Sequence, residues 1–262
     1  MTYRWWLCLV ALAAACGGGR PVADPTVSPV AGPRPTESAS PAAVDSLWSR
    51  AEAAARHGKW GDATKLLERA LLEMPPGDPR IPQAQYWLGE AYFARGRQLE
   101  AAREFRKASD ETPNHPLAPE ALLRVGDVYA DLWRRPELDP TYGQTALATY
   151  QELINRYPGS SAAKRAQLRI AELNELFAYK TFKAAIYYFR LKAYDSAILY
   201  LKDLIANYPK SAVAPEALVK LVQAYRRLGY GEDVQETCDY IQRFHPKAPG
   251  AREVCPAHFT GA

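Results

Sequence analysis

From about residue 44 onward the apolar residues recur at the three-and-four spacing of amphipathic helices, and they do so in blocks that superimpose. Five helical stretches, at 62–70, 100–108, 145–153, 196–204 and 233–241, carry a small or β-branched residue at their second position: Ala63, Ala101, Ala146, Ala197 and Val234. Twelve residues after each comes a proline: Pro75, Pro113, Pro158, Pro209 and Pro246. Upstream of each stretch the pattern predicts a second apolar helix. Its markers are Ala51 and Ala54, Gly89 and Tyr92, Gly126 and Tyr129, Ala185 and Tyr188, and Val222 and Tyr225. Gly58, Gly96 and Gly229 fall where the two helices would turn. The physical logic is that of stacked helical hairpins. Small residues let antiparallel helices approach, aromatic rings fill the space between hairpins, and proline stops the second helix because it lacks an N–H and clashes with the preceding turn.

Two irregularities modify this register. Gly126 and Ala146 are twenty residues apart where the other hairpins show twelve, and the extra residues include Trp133, Arg134, Arg135, Pro136 and Pro140. This predicts a loop inserted within the third hairpin. The segment 161–176 has a helical periodicity of its own, through Leu168, Ala171, Leu173 and Leu176, before Tyr179 opens the fourth hairpin. A long or doubled helix is expected there. The shared spacings resemble the tetratricopeptide repeat, and that resemblance implies an all-α superhelix of about five hairpins.

The N-terminus reads differently. Arg4 precedes an uninterrupted apolar run over residues 5–15, too short to span a bilayer, which needs about 20 residues. The sequence Leu12-Ala13-Ala14-Ala15-Cys16 resembles a bacterial lipobox, which implies a signal peptide over 1–15 and acylation at Cys16. Residues 16–43 then hold six prolines (Pro21, Pro25, Pro29, Pro33, Pro35 and Pro41) and few large apolar side chains, the composition of a disordered tether. The expected organisation is a signal at 1–15, a lipidated linker at 16–43, the repeat domain at 44–246 and a tail at 247–262.

Composition removes several function classes. The 262 residues are 48% hydrophobic and 24% charged, with mean hydropathy −0.33 and a net charge of only +4. No run of five like charges occurs, so no nucleic-acid stripe is indicated. The four histidines, His57, His115, His245 and His258, form no metalloprotease pair, and no nucleophile elbow or phosphate loop is present. The protein is therefore expected to be no enzyme and to need no cofactor. Cys238, His245, Cys255 and His258 leave three alternatives open: a Cys238–Cys255 disulfide, two free thiols, or a zinc site whose spacing fits no common motif.

The tract at 179–197, the turn Asn207-Tyr208-Pro209-Lys210-Ser211, Glu216-Ala217-Leu218 and Ala224-Tyr225-Arg226-Arg227-Leu228-Gly229 resemble the BamD family of outer-membrane lipoproteins. The resemblance covers residues 45–246. It implies a lipid-anchored adaptor of the β-barrel assembly machinery on the periplasmic face of the outer membrane. The partners so implied are a BamA-type Omp85 barrel protein, the other Bam lipoproteins and unfolded outer-membrane protein substrates, with no nucleic acid. A periplasmic scaffold of the CpoB kind, serving envelope or division machinery, is the alternative. If the first helix of each hairpin lines a groove, its outward positions are candidates for substrate contact: Trp48, Glu52, Arg56, Tyr86, Glu90, Phe93, Leu123 and Asp127. The aromatic members could equally pack between hairpins. Tyr194, Tyr200, Lys202, Arg226 and Arg227, near the last two hairpins, are candidates for docking on the scaffold.

Overall fold

The computed structural model describes residues 40–256; the signal sequence, Cys16, nearly all of the tether, and His258 lie outside the described residues. Within them the chain forms α1 (Pro41–Arg56), α2 (Trp60–Glu73), α3 (Ile81–Ala94), α4 (Gln98–Asp110), α5 (Ala118–Leu132), α6 (Thr141–Arg156), α7 (Ser161–Arg190), α8 (Tyr194–Asn207), α9 (Ala214–Leu228), α10 (Gly231–Phe244) and α11 (Ala251–Val254). The five hairpins expected from the proline spacing are all present: α1/α2, α3/α4, α5/α6, α7/α8 and α9/α10. Every helix packs on its neighbours in sequence, as in a solenoid.

Each hairpin closes on one interlock. The small residue of the first helix lies against a residue sixteen positions later in the second, or twenty-four where the third hairpin carries its insertion. The pairs are Ala51 with Leu67, Gly89 with Phe105, Gly126 with Tyr150, Ala185 with Leu201, and Val222 with Cys238, all buried in shared clusters or direct contact. Volume is conserved across the pair: glycine faces an aromatic ring, alanine faces leucine, and valine faces cysteine. A Cβ on Gly89 would stand 2.7 Å from the Phe105 ring, and one on Gly126 would stand 2.3 Å from Tyr150. Interiors packed at crystal density do not absorb such an overlap cheaply.

The turn inside four of the five hairpins also repeats, the third, α5/α6, carrying the insertion instead. The Lys59, Arg97, Ala193 and Tyr230 amides bond the carbonyls of Ala54, Tyr92, Tyr188 and Tyr225, a Schellman closure that needs a left-handed residue just before the donor. Glycine supplies it three times, at Gly58, Gly96 and Gly229, with φ of 66°, 73° and 78°; Lys192 adopts φ 60° in the fourth hairpin. Prolines punctuate both ends. Besides the five that follow second helices, Pro41, Pro82, Pro119 and Pro215 occupy the first turn of α1, α3, α5 and α9, where the absent N–H goes unmissed.

Three expectations need correction. Pro41 is not part of the tether: α1 begins there, capped by the Ser40 hydroxyl accepting from the Ala43 amide, so the helical body starts before residue 44. Trp133, read as part of the inserted loop, is a buried plug. It leans on Phe177 with ring centroids 4.4 Å apart, and it fills the space over Gly143, where a Cβ would come within 2.1 Å of it. The rest of that loop, 134–140, runs over α7, where the Lys180 ammonium donates to the carbonyls of Pro136 and Leu138. Leu168 and Ala171 lie on the solvent side of α7; its buried face is Ala162, Ala166, Leu173, Phe177, Phe182 and Ala185. The first half of this 30-residue helix completes the third hairpin's core and the second half builds the fourth's, so no break was needed between them.

The tail is not separate from the body. Ala251, Val254 and Cys255 close over Leu218, Val219, Val222 and Ile241 at the end of the stack, and Cys255 is disulfide-bonded to Cys238. A four-residue helix has no stability of its own. The disulfide, across a sequence separation of 17, holds it in place.

Two outcomes are expected in denaturant unfolding. Gly89→Ala alone should destabilise by about 1–3 kcal/mol through overpacking, and Phe105→Leu alone by about 1–2 kcal/mol. The double substitution rebuilds the Ala–Leu pair of the first and fourth hairpins. It should lose less than the sum by at least about 0.5 kcal/mol; simple additivity would refute the interlock. Cys255→Ser should cost about 2–4 kcal/mol, and reductant should lower the midpoint of the unmodified protein while leaving the variant unchanged.

Candidate functional site

The odd-numbered helices touch one another from hairpin to hairpin, α3 with α5, α5 with α7 and α7 with α9, whereas the even-numbered helices make no comparable contact. The stack therefore curves with its first helices inside. Long side chains bridge the wider outer side: the Arg106 guanidinium on α4 donates to both Glu152 carboxylate oxygens on α6, at 2.7 and 2.9 Å, and Arg156 returns to Asp110 at 2.7 Å.

The inner face is where the groove residues were expected. Leu123 is corrected outright: it is 3% exposed and belongs to the core of the third hairpin. The remaining positions are on or near the inner face but already engaged. Trp48 stacks on Trp87 with centroids 5.4 Å apart, bridging α1 and α3. Tyr86 meets the edge of Phe105, and burial, then Glu90 and Glu120, push its hydroxyl far above the usual tyrosine range. Phe93 lies under the Arg124 guanidinium at 4.9 Å. The aromatic set thus packs between hairpins.

The charges form a ladder. Arg124 Nε and Nη2 donate to the two Glu90 oxygens at 2.6 and 2.9 Å, across a sequence separation of 34 residues, and Arg124 also approaches Asp127 at 3.5 Å. Asp127 accepts from the Tyr150 hydroxyl at 2.8 Å and pairs with Arg169 at 3.4 Å; Arg169 continues to Glu172, and Arg165 pairs with Glu120. Burial, then the Asp127 charge, hold the Tyr150 hydroxyl protonated well above its ordinary range. Glu90 and Asp127 are therefore spacers that fix the pitch of α3, α5 and α7. Glu52 and Arg56 pair with each other on the surface of α1. The sequence named the carboxylates and missed Arg124 and Arg169. Arg124 stands 34 residues after Glu90 and Arg169 stands 42 after Asp127, so no common offset marks them in the sequence.

The second candidate set divides. Tyr200 stacks on Tyr188 at 5.2 Å and Tyr194 meets the edge of Phe189, so both brace α8 against α7. Arg226 and Arg227 lie in the last turn of α9, where their charge suits the helix C-terminus. Lys202 stands at the edge of an open groove of about 520 Å³ floored by Ile205, Leu218 and Leu221 and lipped by Tyr240 and Phe244. Tyr240 and Phe244 are 38% and 57% exposed one turn apart on α10, a pairing the sequence reading passed over.

No catalytic constellation emerges among these residues. Among the described residues no group of three or more histidine, cysteine or acidic side chains is placed to hold a metal ion. The Cys238–Cys255 bond removes both thiolates from the zinc alternative. His57 is exposed beside its turn, and His115 is half-buried, its Nδ1 accepting from the Leu117 amide at the start of α5. No helix among the described residues is long and apolar enough to cross a membrane.

Curved stack, paired inner charges and aromatic bracing define a tetratricopeptide-repeat scaffold. A protein-family model described as "Outer membrane lipoprotein" (YfiO) matches residues 41–240, and the chain belongs to that family. Among curated proteins, the outer membrane protein assembly factor BamD of Xylella fastidiosa (strain 9a5c) is 27% identical over 228 residues, covering 82% of this chain and 77% of that protein. The BamD of Vibrio cholerae serotype O1 is 27% identical over 206 residues, 75% of this chain and 85% of its own. That of Neisseria meningitidis serogroup A is 25% identical over 219 residues, 79% and 80%. Among solved structures, a thermophilic TPR protein of Thermus thermophilus aligns with 20% identity and a TM-score of 0.36, over 82% of this chain and 98% of that one.

Arg124 ties α3 to α5. Its side chain is 20% exposed and that of Glu90 is 24% exposed, so Arg124→Ala should cost about 2–3 kcal/mol by leaving the Glu90 carboxylate without its guanidinium. Combined with Glu90→Gln the loss should be smaller than the sum; a variant indistinguishable from the unmodified protein in thermal unfolding would show that the ladder holds nothing.

Proposed function

We propose that this protein is a lipid-anchored adaptor in the assembly of β-barrel outer-membrane proteins. The observation that carries the reading is family membership across the whole repeat body, 41–240, together with relatives that are themselves named assembly factors. The physical form supports it. A curved stack whose inner charges are matched in pairs presents fixed surfaces rather than chemistry, which suits a protein that holds other chains in position.

In this reading Cys16 carries the acyl chains, the proline-rich linker lets the body stand off the periplasmic face of the outer membrane, and the C-terminal end and the inner face of the stack take different partners. The groove between α8 and α10, with Lys202, Tyr240 and Phe244 at its edge, is the docking site for an Omp85-type barrel protein of the BamA kind. Exposed aromatic area beside a lysine, over an apolar floor, is the composition of an interface anchor. Unfolded barrel substrates and the other lipoproteins of the complex meet the inner face. Because Glu90 and Asp127 are already paired, substrate contact there is made through the exposed parts of the aromatic residues and through backbone, not through ionic steering.

The test is affinity capture of the full-length protein from detergent-solubilised outer membrane. An Omp85-type barrel protein should co-purify, and Phe244→Ala with Tyr240→Ala should reduce its recovery at least about tenfold while leaving the unfolding midpoint within a few degrees. Capture that recovers no Omp85-type protein would sink the adaptor reading. Unchanged recovery with the double variant would move the docking site away from α10.

A further inference from the structure

The free end of the first hairpin is unlike any other part of the surface. Helices α1 and α2 enclose an open concavity of about 470 Å³ rimmed by Arg50, His57, Lys59, Asp62 and Lys65, with Leu66 in its wall. All of its lining residues belong to the first hairpin, so it opens away from the rest of the stack. Nearby arginines are matched, Arg56 with Glu52 and Arg69 with Glu73. The side chains of Arg50, Lys59 and Lys65 have no ion-pair partner among the described residues, and Asp62 is the one carboxylate among the lining residues. Two helical turns beyond Lys65, on the same face of α2, Leu72 is 87% exposed, the most exposed of the large apolar side chains described.

Unpaired cations, with a bare leucine two turns along the same helix face, supply the two components a protein needs to sit on a lipid surface: charge for the headgroups and an apolar tip for the boundary beneath them. The covalent geometry agrees. Twenty-three residues separate Cys16 from Ser40, an extended reach of at most about 70 Å, and the helix they feed is one wall of the concavity. We propose that the N-terminal end of the stack is a contact surface for anionic phospholipid, with Arg50, Lys59 and Lys65 receiving headgroup phosphates and Leu72 entering the interface. The proposal rests on the lipoprotein reading only for its geometry relative to the anchor. Its effect is to orient the body, so that the stack stands end-on to the membrane instead of swinging freely on its linker.

The test removes the anchor. The chain from residue 16 carrying Cys16→Ser is sedimented with phosphatidylcholine vesicles and with vesicles mixing phosphatidylcholine and phosphatidylglycerol. Binding should favour the anionic vesicles by about a hundredfold at low salt and fall steeply as salt is raised. Arg50→Glu with Lys59→Glu and Lys65→Glu should reduce binding to the level seen with neutral vesicles. Leu72→Ser should weaken it several-fold with the charges intact, and Arg226→Glu with Arg227→Glu should leave it unchanged. Circular dichroism establishes that each variant is folded, all these side chains being on the surface. No binding to either vesicle, equal binding to both, or undiminished binding by the triple variant would overturn the proposal. The vesicles contain no protein, so such a result leaves the assembly reading intact; that reading is tested by the capture experiment, which can fail while vesicle binding persists.

Discussion

One steric rule underlies the fold: within each hairpin, the small residue on the first helix and its partner on the second share a fixed volume. Where the first is glycine, the second is Phe105 or Tyr150; where it is Ala51 or Ala185, the second is leucine. The last hairpin takes the rule to its limit, since Val222 leaves room only for a cysteine. That cysteine is then close enough to the end of the stack to be bonded by Cys255. Cys238 is thus first a packing residue, and the disulfide that closes the C-terminal end follows from what the packing allowed at that position. The same exchange recurs locally at the insertion, where Trp133 fills the space that Gly143 vacates.

Helix spacing set in this way decides where charges can meet. On the inner side, first helices come close enough for the short reach of Glu90, Arg124 and Asp127 to connect neighbouring hairpins. On the outer side the helices diverge, and only paired arginines span the gap between α4 and α6. On the inner side the bidentate Arg124–Glu90 pair fixes direction as well as distance, which the single ammonium of a lysine would not do. The surface left for partners is what this matching omits: the lip of the α8/α10 groove, and the free end of the first hairpin.

Much of this was legible in the sequence because it is periodic. The prolines twelve residues after Ala63, Ala101, Ala146, Ala197 and Val234 marked the hairpins, the lengthened gap between Gly126 and Ala146 marked the inserted loop, and the periodicity of 161–176 announced the long α7. What was not legible depends on neighbours that periodicity does not name. Leu123 stands one residue from Arg124 on α5, and a helix turns about 100° between them; choosing the outward one needs the curvature of the stack, which only the pattern of helix contacts supplies. Trp133 sits among Arg134, Arg135 and Pro136, so its surroundings read as loop although its ring is core. Pro41 with Ser40 before it reads like Pro29 with Ser28 before it in the tether; what differs is the apolar pattern through Val44, Leu47 and Ala51 that follows and gives the capped helix a face to bury.

The two ends of the solenoid pose the same physical problem and solve it differently. A stack of hairpins exposes at each end a face that its next neighbour would have covered, and that face must be polar, covered or occupied. At the C-terminal end Val219, Val222 and Ile241 are too apolar to face water, so α11 covers them and a covalent bond retains a segment too short to stay by itself. At the N-terminal end no segment among the described residues covers α1 and α2, and the face carries Arg50, Lys59, Lys65 and Leu72 instead. Cations alone would suffice for solubility; a leucine 87% exposed two turns farther along the same helix face does not serve that purpose. The asymmetry fits the proposal that the first-hairpin end is the one that meets a lipid surface.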